Sequence, residues 1–157
     1  MQKFDDLTKF IAHLALVEHE VRREAENGLK QSVRVISDAA RAELGHYQPA
    51  VGPFVAWAPL TERTLEEHAR YGVGDTPEML TGGLYGSIED EAHGNEAVSG
   101  SKLAIAAYQE FGTPKIPPRP IFGPAAWKSR EAIEKIMGTA AMKGMMYGAI
   151  GTWSKLD

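Results

Sequence analysis

The sequence predicts an α+β fold with a long N-terminal helix, a small antiparallel β-sheet built on a hairpin, and a C-terminal helix. Three patterns carry that expectation. Apolar residues recur in steps of three and four at Phe4, Leu7, Ile11, Leu14, Val17, Val21, Ala25, Leu29, Val33, Ile36, Ala40 and Leu44, the period of an amphipathic helix. Two β-compatible runs, Leu84 to Asp90 and Ala97 to Ile105, flank the turn formers His93, Gly94 and Asn95, which reads as a hairpin. A helical pattern resumes at Pro124 and passes through Trp127, Ile133, Ile136, Met137 and Ala140. Helices segregated in sequence from one pair of strands point to an α+β arrangement.

The first helix, residues 1–44, would span roughly 60 Å at a rise of about 1.5 Å per residue. That exceeds what a compact domain of this size covers, so part of its apolar stripe is expected to pack on another subunit. Gly28 interrupts the pattern and favours a kink there. Gly45 stops the helix, and Pro49, Gly52 and Pro53 make His46 to Pro53 a loop. Thr61 is placed to cap a short helix, Glu62 to Tyr71, whose early acids suit the positive end of the helix dipole. A further short helix is expected over Ala104 to Phe111, stopped by Gly112. Pro114, Pro117, Pro118 and Pro120 then impose an extended, stiff connector. After Gly144 the chain reads as a glycine-interrupted tail containing Met145, Met146, Tyr147, Ile150 and Trp153.

At 157 residues the chain fits a single domain, 1–157, with 54–124 as its α+β centre and 124–157 as final helix and tail. An apolar fraction of 43% and a charged fraction of 24% are those of a folded globular protein. The net charge of −4 gives no general attraction to phosphates, so DNA binding is not the expected task. With no cysteine, disulfides, thiol nucleophiles and cysteine-ligated zinc are all excluded. The start MQKFDDLTKF does not read as a signal peptide, which implies synthesis in a cytoplasm.

No residue pattern nominates catalysis, a cofactor or a metal. His19-Glu20 opens like a zincin motif, but Arg23 stands where the second histidine must be to place two imidazoles on one helical face. Gly72-Val73-Gly74 lacks the third glycine of a dinucleotide loop, and no Gly-Lys-Ser/Thr cradle exists. The run Lys115-Ile116-Pro117-Pro118-Arg119-Pro120 contains a PxxP spacing beside a basic residue, so a cytoplasmic adaptor or protein-binding module using this connector is the alternative reading. Ile136 to Trp153 is too short, too glycine-rich and, with Lys143 at its centre, too polar for a membrane span.

Ala107-Tyr108-Gln109-Glu110-Phe111-Gly112-Thr113, followed by Ile116-Pro117-Pro118-Arg119-Pro120 and Phe122, resembles the "YxEFGT … IPxRPF" signature of tailed-bacteriophage tail-completion proteins. These are the virion morphogenesis, minor tail or neck proteins. Trp57-Ala58-Pro59-Leu60-Thr61 through Thr64-Leu65 is similar to that family's "WxPLxxxTL" element, and Leu80-Thr81-Gly82-Gly83-Leu84 with Ser87-Ile88 to its "LTGxLxxSI" element. The three blocks stand in the family's order over about half the chain. Ile121 intervenes where the family places its aromatic directly after the Arg-Pro.

The resemblance implies a non-enzymatic virion component made in the host cytoplasm. It would sit at the head-tail junction as a homo-oligomeric ring, six copies matching tail symmetry, bound to other neck and tail proteins. DNA would pass through its channel without sequence-specific contact, and no membrane or cofactor is implied. Within the signature, Glu110 and Arg119 are expected to pair as carboxylate and guanidinium fork. Gly112 is expected to stop a helix at positive φ, and Tyr108, Phe111 and Phe122 to serve as apolar anchors. Trp57, Pro117, Pro118 and Pro120 complete the structural candidates, and Met145 and Met146 are the adaptable contact residues of the tail.

Overall fold

The computed structural model describes residues 6–79 and 81–151. Phe4, Leu80 and Trp153, used in the expectations above, lie outside them. The fold is α+β, in the order α1 (Leu7–Glu43), α2 (Glu62–Arg70), α3 (Gly83–Gly86), β1 (Ile88–His93), β2 (Glu96–Ser101), α4 (Ala104–Phe111) and α5 (Phe122–Gly151). The two strands form an antiparallel hairpin turned through Gly94 at φ 59°. By contacts the described chain divides into two compact units. One holds residues 6–32, 92–97 and 132–151; the other holds 33–79, 81–91 and 98–131.

Helix α1 is continuous through Gly28, with no break. The glycine serves proximity instead, because a Cβ there would lie 2.9 Å from Ala140 Cβ and 3.0 Å from Met137 Sδ. Gly144 and Gly148 act likewise: a Cβ on either would sit 2.6 Å from the Cα of Val21 or Val17. As numbers fall along α1 they rise along α5, so the two helices of this unit run antiparallel with backbones in close approach. This corrects the expected tail after Gly144. The glycines there are a packing face of a helix that continues to Gly151, and the local propensity cost of about 1 kcal/mol each is offset by tertiary contact.

In the other unit, Ala40, Leu44, Trp57, Leu84, Ile88, Ala106, Ile121 and Ala125 form the buried core. The expected strand from Leu84 begins only at Ile88. Gly82 at φ 68° turns the chain, and Leu84 is carried into the core on the single turn α3, closed by Ser87 Oγ donating to Leu84 O at 2.8 Å. The second run pairs over Glu96–Ser101 only. Thr61 caps α2 as expected, its Oγ1 accepting from Thr64 N. Among the described residues no helix is long and apolar enough to cross a membrane.

Candidate functional site: the connector between α4 and α5

Helix α4 ends where the sequence places its stop. Gly112 adopts φ 73° and donates to Tyr108 O at 2.9 Å. A Cβ there would lie 3.0 Å from Pro118 Cδ and 3.1 Å from Ile116 O, so both conformation and space call for glycine. Thr113 and Ile116 then exchange backbone hydrogen bonds of 2.8 and 3.2 Å, and Thr113 Oγ1 accepts from Ile116 N at 3.0 Å. The chain returns to α4 when Arg119 N donates to Gln109 O at 2.7 Å.

Two side chains then join the connector to the rest of the unit. Trp57, 5% exposed, donates its Nε1 proton to Pro120 O at 3.0 Å. Arg119, 6% exposed, donates from Nε and Nη2 to Ala58 O, both at 3.1 Å, and from Nη2 to Pro59 O at 3.3 Å. Its remaining nitrogen, Nη1, stands 3.7 Å from Glu78 Oε1, a loose ion pair beside the 2.7–2.9 Å usual for charge-assisted bonds. Burial pushes the Glu78 carboxyl above its ordinary range, against the pull of Arg119 and His68. Glu78 also holds φ 65°, the left-handed region that a side chain adopts under strain.

The expected Glu110–Arg119 pair does not form. Glu110 Oε2 accepts from Ile121 N at 2.6 Å and Phe122 N at 2.9 Å, and Oε1 accepts from Gly123 N at 2.8 Å. The carboxylate thus closes the N-terminus of α5, where three backbone N–H groups have no helical partner and the helix dipole favours negative charge. Arg119 instead donates to the main-chain carbonyls of Ala58 and Pro59. Each ion is better satisfied by the backbone than by the other. Gly123 is small for the same reason, since a Cβ would collide with the Phe54 ring and lie 3.1 Å from Glu110 Oε1.

The aromatic anchors also need correction. Phe111 is 82% and Tyr108 49% exposed, while Phe122 packs partly on the core. The central anchor is Ile121, 0% exposed. Pro117 and Pro118 are exposed and Pro120 is buried. Met145 and Met146, 56% and 55% exposed, belong to the helical unit. Glu78 and Gln109 were not legible as participants, because a distant carboxylate and a main-chain acceptor carry no local motif.

Pocket chemistry adds little. Among the described residues no cluster of His, Asp or Glu is arranged to hold a metal ion. His68 is buried with Nδ1 3.1 Å from Gly74 O, a satisfied interior histidine. Compared with protein-family models, with curated proteins and with solved structures, the chain has no match.

Proposed function

We propose that this chain is a structural subunit of a tailed-phage head-to-tail junction, a neck or tail-completion ring acting in virion assembly and DNA passage. One observation carries the reading: the three sequence blocks behind the resemblance are the parts that build the α+β unit. Trp57 of the first block bonds Pro120 of the third, Arg119 of the third bonds Ala58 and Pro59 of the first, and Leu84 and Ile88 of the second pack in the same core. A motif whose members hold one another in place suits a scaffold more than a linear ligand. The adaptor alternative loses its main support here, since Arg119 and Pro120 are buried and a PxxP ligand needs both presented outward.

In this reading the ring is homo-oligomeric, hexameric by tail symmetry, contacts neck and tail proteins, and lets DNA slide because an acidic lumen does not bind phosphate. The decisive experiment is mass spectrometry and cryo-electron microscopy of purified particles from a phage with this gene intact or deleted. The expected result is density for the subunit at the neck, and unjoined heads and tails without it. Infectious, fully joined particles from the deletion would sink the proposal.

A further inference from the structure

The α+β unit contains a cavity of about 400 Å³, a size that takes a small organic molecule. Leu60, Leu84, Leu103, Ile105 and Ile116 form its apolar wall. Leu84 belongs to the core, whereas Leu103 and Ile105 are 43% and 38% exposed, so the apolar lining runs from the interior out to solvent. Glu78, Gln109 and Arg119 also line it, each with a buried side chain.

The hydrogen bonding around this space does not close. His68 is engaged by Gly74 O, Thr64 by Thr61 Oγ1 and Thr81 by Gly83 N. Gln109 is 8% exposed, yet its Oε1 is shielded with no hydrogen-bond partner among the described residues. A leucine would fill the same space without the cost of a buried, unpaired acceptor, so the carboxamide calls for a partner. Arg119 Nη1 is also unspent, because its contact with Glu78 Oε1 is 3.7 Å, beyond hydrogen-bond reach. Glu78 itself is held at φ 65°, a strained backbone of the kind that gathers at binding sites. Water is a poor occupant here, since a water needs two to four polar partners and most of the wall is apolar.

We propose that the cavity binds a small neutral molecule with an apolar body and a carboxamide head, whose N–H donates to Gln109 Oε1 and whose carbonyl accepts from Arg119 Nη1. Neutrality follows from the wall, where Glu78 and Arg119 face each other as opposite charges and leave an ionic ligand no unopposed counter-ion. The site goes beyond the ring reading and stands or falls without it.

The test is titration of the isotope-labelled full chain with 4-phenylbutanamide, followed by amide NMR shifts. With about twelve non-hydrogen atoms, this probe is expected to saturate with a dissociation constant on the order of 1 mM, moving the amides of Leu84, Ile105 and Gln109. 5-Phenylpentan-2-one keeps the shape and the carbonyl but lacks the N–H, and should bind about three- to tenfold more weakly. 4-Phenylbutanoate should also bind more weakly than the amide. Gln109→Leu should bind amide and ketone alike, with its urea midpoint undiminished. Ile105→Trp, a filled rim, should weaken the amide about tenfold.

Absence of saturable shifts up to about 20 mM in wild type overturns the proposal. So does wild type that binds the ketone as tightly as the amide, a comparison that needs no variant, or Gln109→Leu that keeps the preference. Tighter binding of the carboxylate overturns the neutral class. Leu80 lies outside the described residues, and binding seen only in Leu80→Ala would mean that the chain's own side chain fills the cavity, which also overturns it.

Discussion

Removing the Glu110 carboxylate should weaken the junction of α4 and α5 by an amount that its geometry sets. Three backbone N–H groups donate to it at 2.6, 2.9 and 2.8 Å. Hydrogen bonds to a charged group contribute about 1.5–3 kcal/mol each when fully buried. Glu110 is only partly buried, so water would replace some of that, and loss of a helix cap typically costs about 1–2 kcal/mol. Glu110→Ala is therefore expected to destabilise by about 2–4 kcal/mol, and Glu110→Gln, which keeps one acceptor oxygen but loses the charge, by roughly half as much. Urea unfolding at pH 7 measures the first quantity. Hydrogen exchange at Ile121, Phe122 and Gly123 localises it, because only those amides should lose protection through local opening. A cost under about 0.5 kcal/mol, or unchanged exchange at the three amides, would refute the capping argument. A double-mutant cycle with Arg119→Ala checks the separation of the two ions: coupling above about 1 kcal/mol would restore the direct pair that the structure does not contain.

Arg119→Lys should cost about 2–4 kcal/mol in urea unfolding despite conserving charge, since a single ammonium cannot reproduce the fork that reaches Ala58 O and Pro59 O; a loss under about 1 kcal/mol contradicts this. Glu78 has a folded-state pKa raised by burial above the ordinary 4.5. Its neutral form is therefore favoured in the folded state, and that stabilising contribution is fully present below the ordinary value and lost as pH rises through the raised one. Relative to Glu78→Gln, wild type should lose stability as pH rises above the ordinary value of 4.5, and urea midpoints that shift in parallel would count against it. Two glycines of α5 should respond with opposite sign. Gly138→Ala meets nothing within 4 Å and should stabilise by about 0.5–1 kcal/mol, while Gly144→Ala drives its methyl to 2.6 Å from Val21 Cα and should destabilise by about 1–3 kcal/mol. Thermal melts showing the same sign for both would undo the close-packing account.

What could be read from the residues alone follows a physical division. Helices α2 and α4 and the C-terminal end of α1 were legible nearly to the residue because their signals are local: apolar period, Thr61 as cap, Gly112 as stop. The failures all involve partners without sequence identity. Glu110 binds main-chain amides, and any residue except proline presents one, so charge-matching selected Arg119 wrongly. Phe111 looked like an anchor because it is large and apolar, yet the burial fell to Ile121 and Ala125, which follow directly on the stretch Pro118-Arg119-Pro120. Gly144 and Gly148 looked like breakers because propensity records what a glycine costs its own helix and is blind to the helix that comes close.

The backbone bond from Arg119 to Gln109 and the Glu110 bridge to α5 tie off the chain at the base of the excursion that begins at Gly112. Everything from Thr113 to Pro117 is thereby a loop already closed by contacts outside itself. Its length is weakly constrained, since doubling such a loop adds only about 0.6 kcal/mol of closure entropy. This tie leaves the exposed tip free to vary in length and in chemistry without disturbing the core to which its two ends are moored.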